Sequence, residues 1–382
     1  MNIEALLPIY NDEIKFCLAF LTSFIITFYS VPIIVRISLA KRLFDLPNSR
    51  TSHKQATPTL GGIAMFAGVL VSSLFFVDSV NASAYQFVIA GSFILFFFGI
   101  EDDLAPIKWG TKIFGEVLAA FSLIILADFR FTDLHGILGF HQINYVGSTL
   151  ITLIVMIGIV NAMNLIDGID GLAAGISFMA TSVFGVWFFL TGQHALAVVA
   201  ISVIGMLCAY LGYNVFGTKN KIFMGDTGSL LLGYVMTIFV IVLNEHTIIV
   251  ESPWHINNAP VVTFSILFIP LFDTLRVMAI RIMKWESPFT ADHNHIHHRF
   301  LDLGCSHGQT TLVLILINGF VILVIFLLQN LEIHLLMFIV LILGIIKCII
   351  PAYIVKHWTY RKLKRIPDFK IDPLICTDIE EH

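Results

Sequence analysis

The sequence predicts an all-α fold that crosses a membrane many times, and three observations carry that reading. The 382 residues are 57% hydrophobic and only 13% charged, with a mean hydropathy of +0.89, so no single aqueous core could hide the apolar surface. The apolar residues come in runs near the length of about 20 that a helix needs to cross hydrocarbon, separated by short polar stretches. Lysines and arginines gather in alternate connections, as loops held on one face of a bilayer do.

Eleven runs are predicted as spans, at roughly 16–40, 60–78, 84–100, 112–127, 147–165, 171–191, 195–215, 228–249, 260–281, 311–329 and 334–355. The first follows Glu4, Asp12 and Glu13 with no basic n-region or small-residue cleavage site, so it reads as an anchor rather than a removable signal. The second opens at Gly61 and Gly62, and the third closes on Glu101-Asp102-Asp103. The fourth starts at Lys112, and the fifth runs into Asn161-Ala-Met-Asn164-Leu-Ile-Asp167-Gly-Ile-Asp170-Gly171, where the sixth begins. The seventh ends near Asn214, the eighth follows Phe223-Met-Gly-Asp226-Thr-Gly228, and the ninth ends at Arg281. The last two precede a polar tail, which divides the chain into a transmembrane catalytic domain, 1–356, and a cytosolic tail, 357–382.

An odd number of spans puts the termini on opposite faces. One choice of hand collects Lys41, Arg42, Arg50, Lys54, Lys108, Lys112, Lys219, Lys221, Arg281, Lys284, Arg299 and the cluster from Lys356 onward on one face, and leaves Lys15 and Arg130 on the other. That asymmetry predicts an outside N-terminus and a cytosolic C-terminus. The acidic motifs then all face the cytosol. The net charge of −4 conceals a basic cytosolic surface suited to anionic lipid, and no nucleic-acid partner is expected. Five cysteines, none in a predicted external loop and none in a CxxC pair, suggest neither a disulfide framework nor a zinc cluster.

Charge at a membrane edge is costly and usually functional. Asp102 and Asp103 repel each other unless a cation or hydrogen bonds compensate. The plain alternative is a solvated helix end. Asp167 and Asp170 share a face if their segment is helical, whereas Gly168 and Gly171 favour a turn that brings backbone close to a ligand. Asp226, in a glycine-flanked span start, is either a helix cap or, if its side chain turns outward, a metal ligand. His293, His295, His297 and His298 precede Arg299 in one cytosolic loop. Zinc is the competing idea there, but the absence of a cysteine beside them favours an anionic diphosphate. Lys54 adds a cation beside Gly61 and Gly62, and alone would be an ordinary positive-inside lysine. Carboxylates for a divalent cation, cations for phosphate charge and glycines for close backbone approach make up an inventory for phosphate chemistry.

The segments TPTLGG (57–62), EDD (101–103), NAMNLIDGIDGL (161–172), FMGDTGSL (223–230) and HIHHR (295–299) resemble, in order, the signature motifs of the polyprenyl-phosphate N-acetylhexosamine-1-phosphate transferases. The stretch 287–310 resembles the WecA and TagO type. The MraY type has three consecutive histidines where this chain has His295-Ile296-His297-His298. The resemblance implies transfer of N-acetylglucosamine 1-phosphate from UDP-N-acetylglucosamine to undecaprenyl phosphate, releasing UMP, as the first step of an envelope polysaccharide. It implies a multi-pass enzyme of the bacterial cytoplasmic membrane, bathed in membrane lipid, with Mg2+ or Mn2+ as cofactor. A homodimer is a further partner to test. Carried over by position, Asp226 would be the metal ligand, Asp102 the base on the lipid phosphate and Asp103 its neighbour. Asn164, Asp167 and Asp170 would meet the nucleotide or order the metal site, and Asn214 would lie on the uridine side. Lys54, Arg281, His295, His297 and His298 would bind diphosphate and sugar.

Two other donors fit the same chemistry, UDP-N-acetylmuramoyl-pentapeptide and another UDP-N-acetylhexosamine. Direct attack by the lipid phosphate is simpler than a covalent aspartyl-phosphate route, and the sequence does not choose. A secondary transporter is the rival from another class, since it too places carboxylates in membranes. Its best support is Asp273 and Arg276, whose i, i+3 spacing reads instead as a local ion pair. A membrane scaffold leaves the clustered carboxylates and histidines unexplained.

Overall fold

The computed structural model describes residues 12–43, 57–77, 82–249, 253–286 and 295–363. The elements in order are α1 (Asp12–Lys41), α2 (Gly61–Phe76), α3 (Ala82–Leu104), α4 (Trp109–Phe121, extended by a π turn to Leu126), α5 (Tyr145–Ile166), α6 (Leu172–Leu190), α7 (His194–Asn214), α8 (Gly225–Ile249), α9 (Ala259–Ile266), α10 (Phe268–Met283), α11 (Ile296–Asp302), α12 (His307–Leu328) and α13 (Ile333–Leu363). Among the described residues, eight helices are long and apolar enough to cross a membrane, and nine if α9 and α10 count as one bent span. The apolar helices Gly61–Phe76 and Ile333–Ile349 fall short of that length. The protein is all-helical and polytopic.

The centre of the bundle is α8, the most buried of the spanning helices, which packs against α2, α3, α5, α6 and α9. Lipid is as apolar as leucine, so helices in a membrane associate through close backbone packing at small residues. Gly62 and Gly99 show the device: a methyl on Gly62 would stand 2.2 Å from the Gly228 nitrogen, and one on Gly99 would stand 2.5 Å from the Thr227 Cα. Extended backbone before α2 completes this junction, with Phe223 N donating to Pro58 O (2.8 Å), Gly61 N to Phe223 O (3.0 Å) and Gly62 N to Met224 O (2.9 Å). At the far end of α8, about 30 Å along the axis at 1.5 Å per residue, Glu245 accepts from the backbone N–H (2.7 Å) and hydroxyl (2.6 Å) of Thr132.

The predicted ninth span is not one rod. It breaks at Leu267, where α10 leaves α9 at 90°. A break inside hydrocarbon strands backbone groups that water cannot reach. Asn318 of α12, fully buried, answers both sides: its Nδ2 donates to Ile266 O (2.9 Å) and its Oδ1 accepts from Ile269 N (2.9 Å). Pro270, in the first turn of α10, needs no acceptor for an N–H it lacks.

Candidate active site

One end of the bundle holds a cavity of about 480 Å3 lined by Asp102, Asp103, Asn164, Asp167, Asp170, Asn214 and Asp226, together with Thr59, Arg42 and His307. Seven of the residues singled out in the sequence thus converge from α3, α5, α7, α8 and the α5–α6 turn.

The two adjacent aspartates do different work. Asp103 caps α8: its Oδ1 accepts from Asp226 N (2.7 Å), and its Oδ2 accepts from Thr227 N (3.1 Å) and the Thr227 hydroxyl (2.5 Å). A carboxylate on the bare N–H groups of a helix start also meets the positive end of the helix dipole. Gly225 makes the approach feasible, since at φ +69° a side chain would be strained and its Cβ would fall 2.1 Å from Thr59 O. With capping done by Asp103, the Asp226 side chain is free to turn outward. Its Oδ2 takes the Lys112 ammonium (2.8 Å), and its Oδ1 accepts from Asn164 Nδ2.

Lys112, read in the sequence only as a topological charge, is the hub. Its Nζ also donates to Asp102 Oδ2 (3.2 Å) and Asn164 Oδ1 (3.0 Å). Asp102 Oδ1 accepts from Ile107 N (2.8 Å), and Asn164 is steadied by Ser229 Oγ (2.9 Å). No motif flags Lys112, because its partners come from three other helices.

The segment between α5 and α6 is a turn, so Asp167 and Asp170 do not share a helical face. Gly171 at φ +77° redirects the chain. Burial, and then the charges of Asp226, Asp103 and Asp170, hold the Asp167 carboxyl well above the usual carboxylate range. Burial pushes Asp170 the same way, but bonds from His307 Nδ1 (3.2 Å) and Lys221 Nζ (2.6 Å) outweigh it and hold Asp170 below its ordinary value. With Thr311 Oγ1 donating to its carbonyl (2.8 Å), Asp170 joins the turn to α12. Asn214, expected on the uridine side, lines the cavity with only 3% of its surface exposed, and its amide accepts from Gly171 N (2.7 Å) and donates to Ile222 O (2.9 Å). It holds the turn in shape.

The residues predicted to bind phosphate fall in several places. Lys54 lies outside the described residues. Arg281 is buried in the last turn of α10 and does not line the cavity. His295 gives its Nδ1 to Asp273 Oδ2 (2.9 Å). His297, 2% exposed, packs against Gly168 of the cavity wall, where a methyl would stand 2.5 Å from its Nε2. Burial, then the neighbouring His298 and His295, push the His297 imidazole down to about 3, and among the described residues neither ring nitrogen has a hydrogen-bond partner. A buried polar group so placed takes a water, an ion or a ligand group as its partner. The half-buried His298 packs on it, with ring centroids 4.2 Å apart. The Asp273–Arg276 pair is local, at 2.8 Å.

Comparison with known proteins agrees with this architecture. Residues 85–244 match the model of glycosyl transferase family 4. The chain is 35% identical over 301 residues to the undecaprenyl-phosphate alpha-N-acetylglucosaminyl 1-phosphate transferase of Pasteurella multocida, covering 77% of this chain and 80% of that one. It is 31% identical over 313 residues to a protein of Bacillus subtilis named probable undecaprenyl-phosphate N-acetylglucosaminyl 1-phosphate transferase, with 81% and 83% covered. It is 29% identical over 329 residues to the decaprenyl-phosphate N-acetylglucosaminephosphotransferase of Mycobacterium leprae, with 79% and 80% covered. The chain belongs to this family of membrane sugar-phosphate transferases, within the superfamily of MraY and WecA and on the WecA side of it.

Proposed function

We propose that this protein transfers N-acetylglucosamine 1-phosphate from UDP-N-acetylglucosamine to undecaprenyl phosphate, leaving a lipid-linked sugar diphosphate and UMP. The carrying observation is the convergence of Asp102, Asp226 and Asn164 on Lys112 at a cavity that reaches Asp167. In the reaction a lipid phosphate oxygen forms a bond to the sugar-linked phosphorus as the bond from that phosphorus to the UMP oxygen breaks. Direct attack suits the geometry, since both oxygens of Asp103 are committed to α8 and Asp102 is held between Ile107 N and Lys112. Lys112 holds the Asp226 and Asp102 carboxylates together and offers positive charge as phosphate charge moves. His297 meets the donor beside Gly168.

Magnesium fits the donor set. Among the described residues no three carboxylate, histidine or thiol groups could hold a metal by themselves, and magnesium asks for only one or two carboxylates, taking phosphate and water for the rest. Asp226 would hold it, with Asp102 beside it. When bound, it would neutralise charge on the transferring phosphoryl group.

The lysine and arginine asymmetry supports eleven segments in the membrane, an outside N-terminus, and a site on the cytosolic face of the bacterial inner membrane. Purified protein with undecaprenyl phosphate, magnesium and a panel of UDP-sugars, followed by UMP release, tests the activity. Turnover with UDP-N-acetylglucosamine is expected, and no turnover with any UDP-N-acetylhexosamine ends this reading. For sidedness, a cysteine at position 219 in a cysteine-free chain should be shielded from an impermeant thiol reagent in intact cells, and one at His141 labelled. The reverse pattern inverts the topology.

A further inference from the structure

His297 reaches the cavity wall at Gly168 on a support that the sequence motifs do not include. Its helix, α11, has only seven residues, too few to stand without tertiary contacts. Its start is held from α10 by Asp273, which is 4% exposed. Besides its ion pair with Arg276, that carboxylate accepts from His295 Nδ1 (2.9 Å) and from Ile296 N (3.1 Å to Oδ2). A local ion pair needs only one of its oxygens. The other is given to the chain that enters α11, and it fixes the proton of His295 on Nδ1, because an ionised carboxylate can only accept. Lys347 of α13 packs over the Phe268 and Phe272 rings, each 5.1 Å from its Nζ, on the same helix. From this anchor the His295 and His297 rings run parallel, 5.8 Å apart with 7° between planes, and His297 rests against Gly168. Because α10 owes its direction to the break bridged by Asn318, Asp273 stands where an unbroken span would not put it.

We propose that Asp273 is a positioning residue for the donor end of the site, suspending α11 from the bent half-span so that His297 is held against the turn carrying Asp167. This rests on the reading that His297 meets the UDP-sugar. Replacement of Asp273 releases His295 and the Ile296 N–H together, so His297 swings from its seat while the carboxylates around Lys112 stay in place.

The test compares wild type with Asp273→Ala, Asp273→Glu and His297→Ala in purified full-length protein, reading donor KM, acceptor KM and the reactivity of His297 toward diethyl pyrocarbonate by peptide mass mapping. Asp273→Ala should raise donor KM about 10- to 100-fold, the worth of a charged hydrogen bond, with acceptor KM unchanged and His297 turned from protected to reactive. Asp273→Glu should recover part of both. Normal donor KM with His297 still protected in Asp273→Ala overturns the proposal, as does an equal loss for both substrates with His297 protected. If the alanine variant does not fold, Asp273→Asn, which keeps shape but loses charge, is judged by the same outcomes. A donor defect in His297→Ala beside a normal Asp273→Ala enzyme sinks the positioning role alone. An unchanged donor KM in His297→Ala removes the donor-binding reading itself, and this proposal with it.

Discussion

Asn318→Leu is the sharpest probe of the broken span. Leucine keeps asparagine's branched shape, though it is bulkier, and has no hydrogen-bonding atoms, so it leaves Ile266 O and Ile269 N buried without partners. Each such group costs about 1–3 kcal/mol, so the two together should cost about 2–6 kcal/mol. Asn318→Ala should cost less, because the space it opens could admit a water to the same two groups. Thermal unfolding in detergent or lipid nanodiscs measures the order, with wild type most stable, then alanine, then leucine. UMP release measured alongside should fall in the leucine variant, since α10 carries the anchor of the histidine helix. A leucine variant melting within about 1 °C of wild type would mean a cost below about 1 kcal/mol. The break would then not depend on Asn318.

Lys112→Met should leave Asp102 and Asp226 facing each other without their shared cation, a loss of about 3–5 kcal/mol for a buried pair. Turnover should drop about a hundredfold or more, and activity within about tenfold of wild type in a normally melting protein contradicts its role as hub. Gly225→Ala adds about 1–2 kcal/mol of left-handed strain and a Cβ 2.1 Å from Thr59 O, so UMP release should collapse while far-ultraviolet helix content stays normal; undiminished release shows that the junction yields. His297, ordinarily near 6.5 and held down to about 3, binds its proton in the unfolded chain first. Stability should therefore fall as pH drops from about 6.5 toward 3, by up to about 1.4 kcal/mol per pH unit. Melting curves of His297→Phe should lack that share of the slope, and identical pH slopes in both proteins refute the shift.

The spans were legible because hydrocarbon demands long apolar runs, and the acidic motifs were legible because charge is rare beside them. Joint geometry was not. The run 260–281 reads as a continuous span, and its break depends on an asparagine about 50 residues later in another helix. Asp102 and Asp103 are indistinguishable as neighbours in sequence, yet one faces a lysine and the other a helix start. The i, i+3 pairing of Asp273 with Arg276 was readable because both lie on one helix. Its bond to His295 was not, because that contact closes only in three dimensions.

Because Pro58, Gly61 and Gly62 pair with Phe223 and Met224, the ribosome must deliver seven helices before the cavity can close. A nascent chain halted after Asn214 already carries Asp102, Lys112, Asn164 and Asp167, but it has neither Asp226 nor the acceptors that Gly61 and Gly62 use. Its second helix then lacks the partner that Gly62 packs against at Gly228. A product truncated there lacks Asp226, and with it the shared contact on Lys112 that joins α3, α5 and α8.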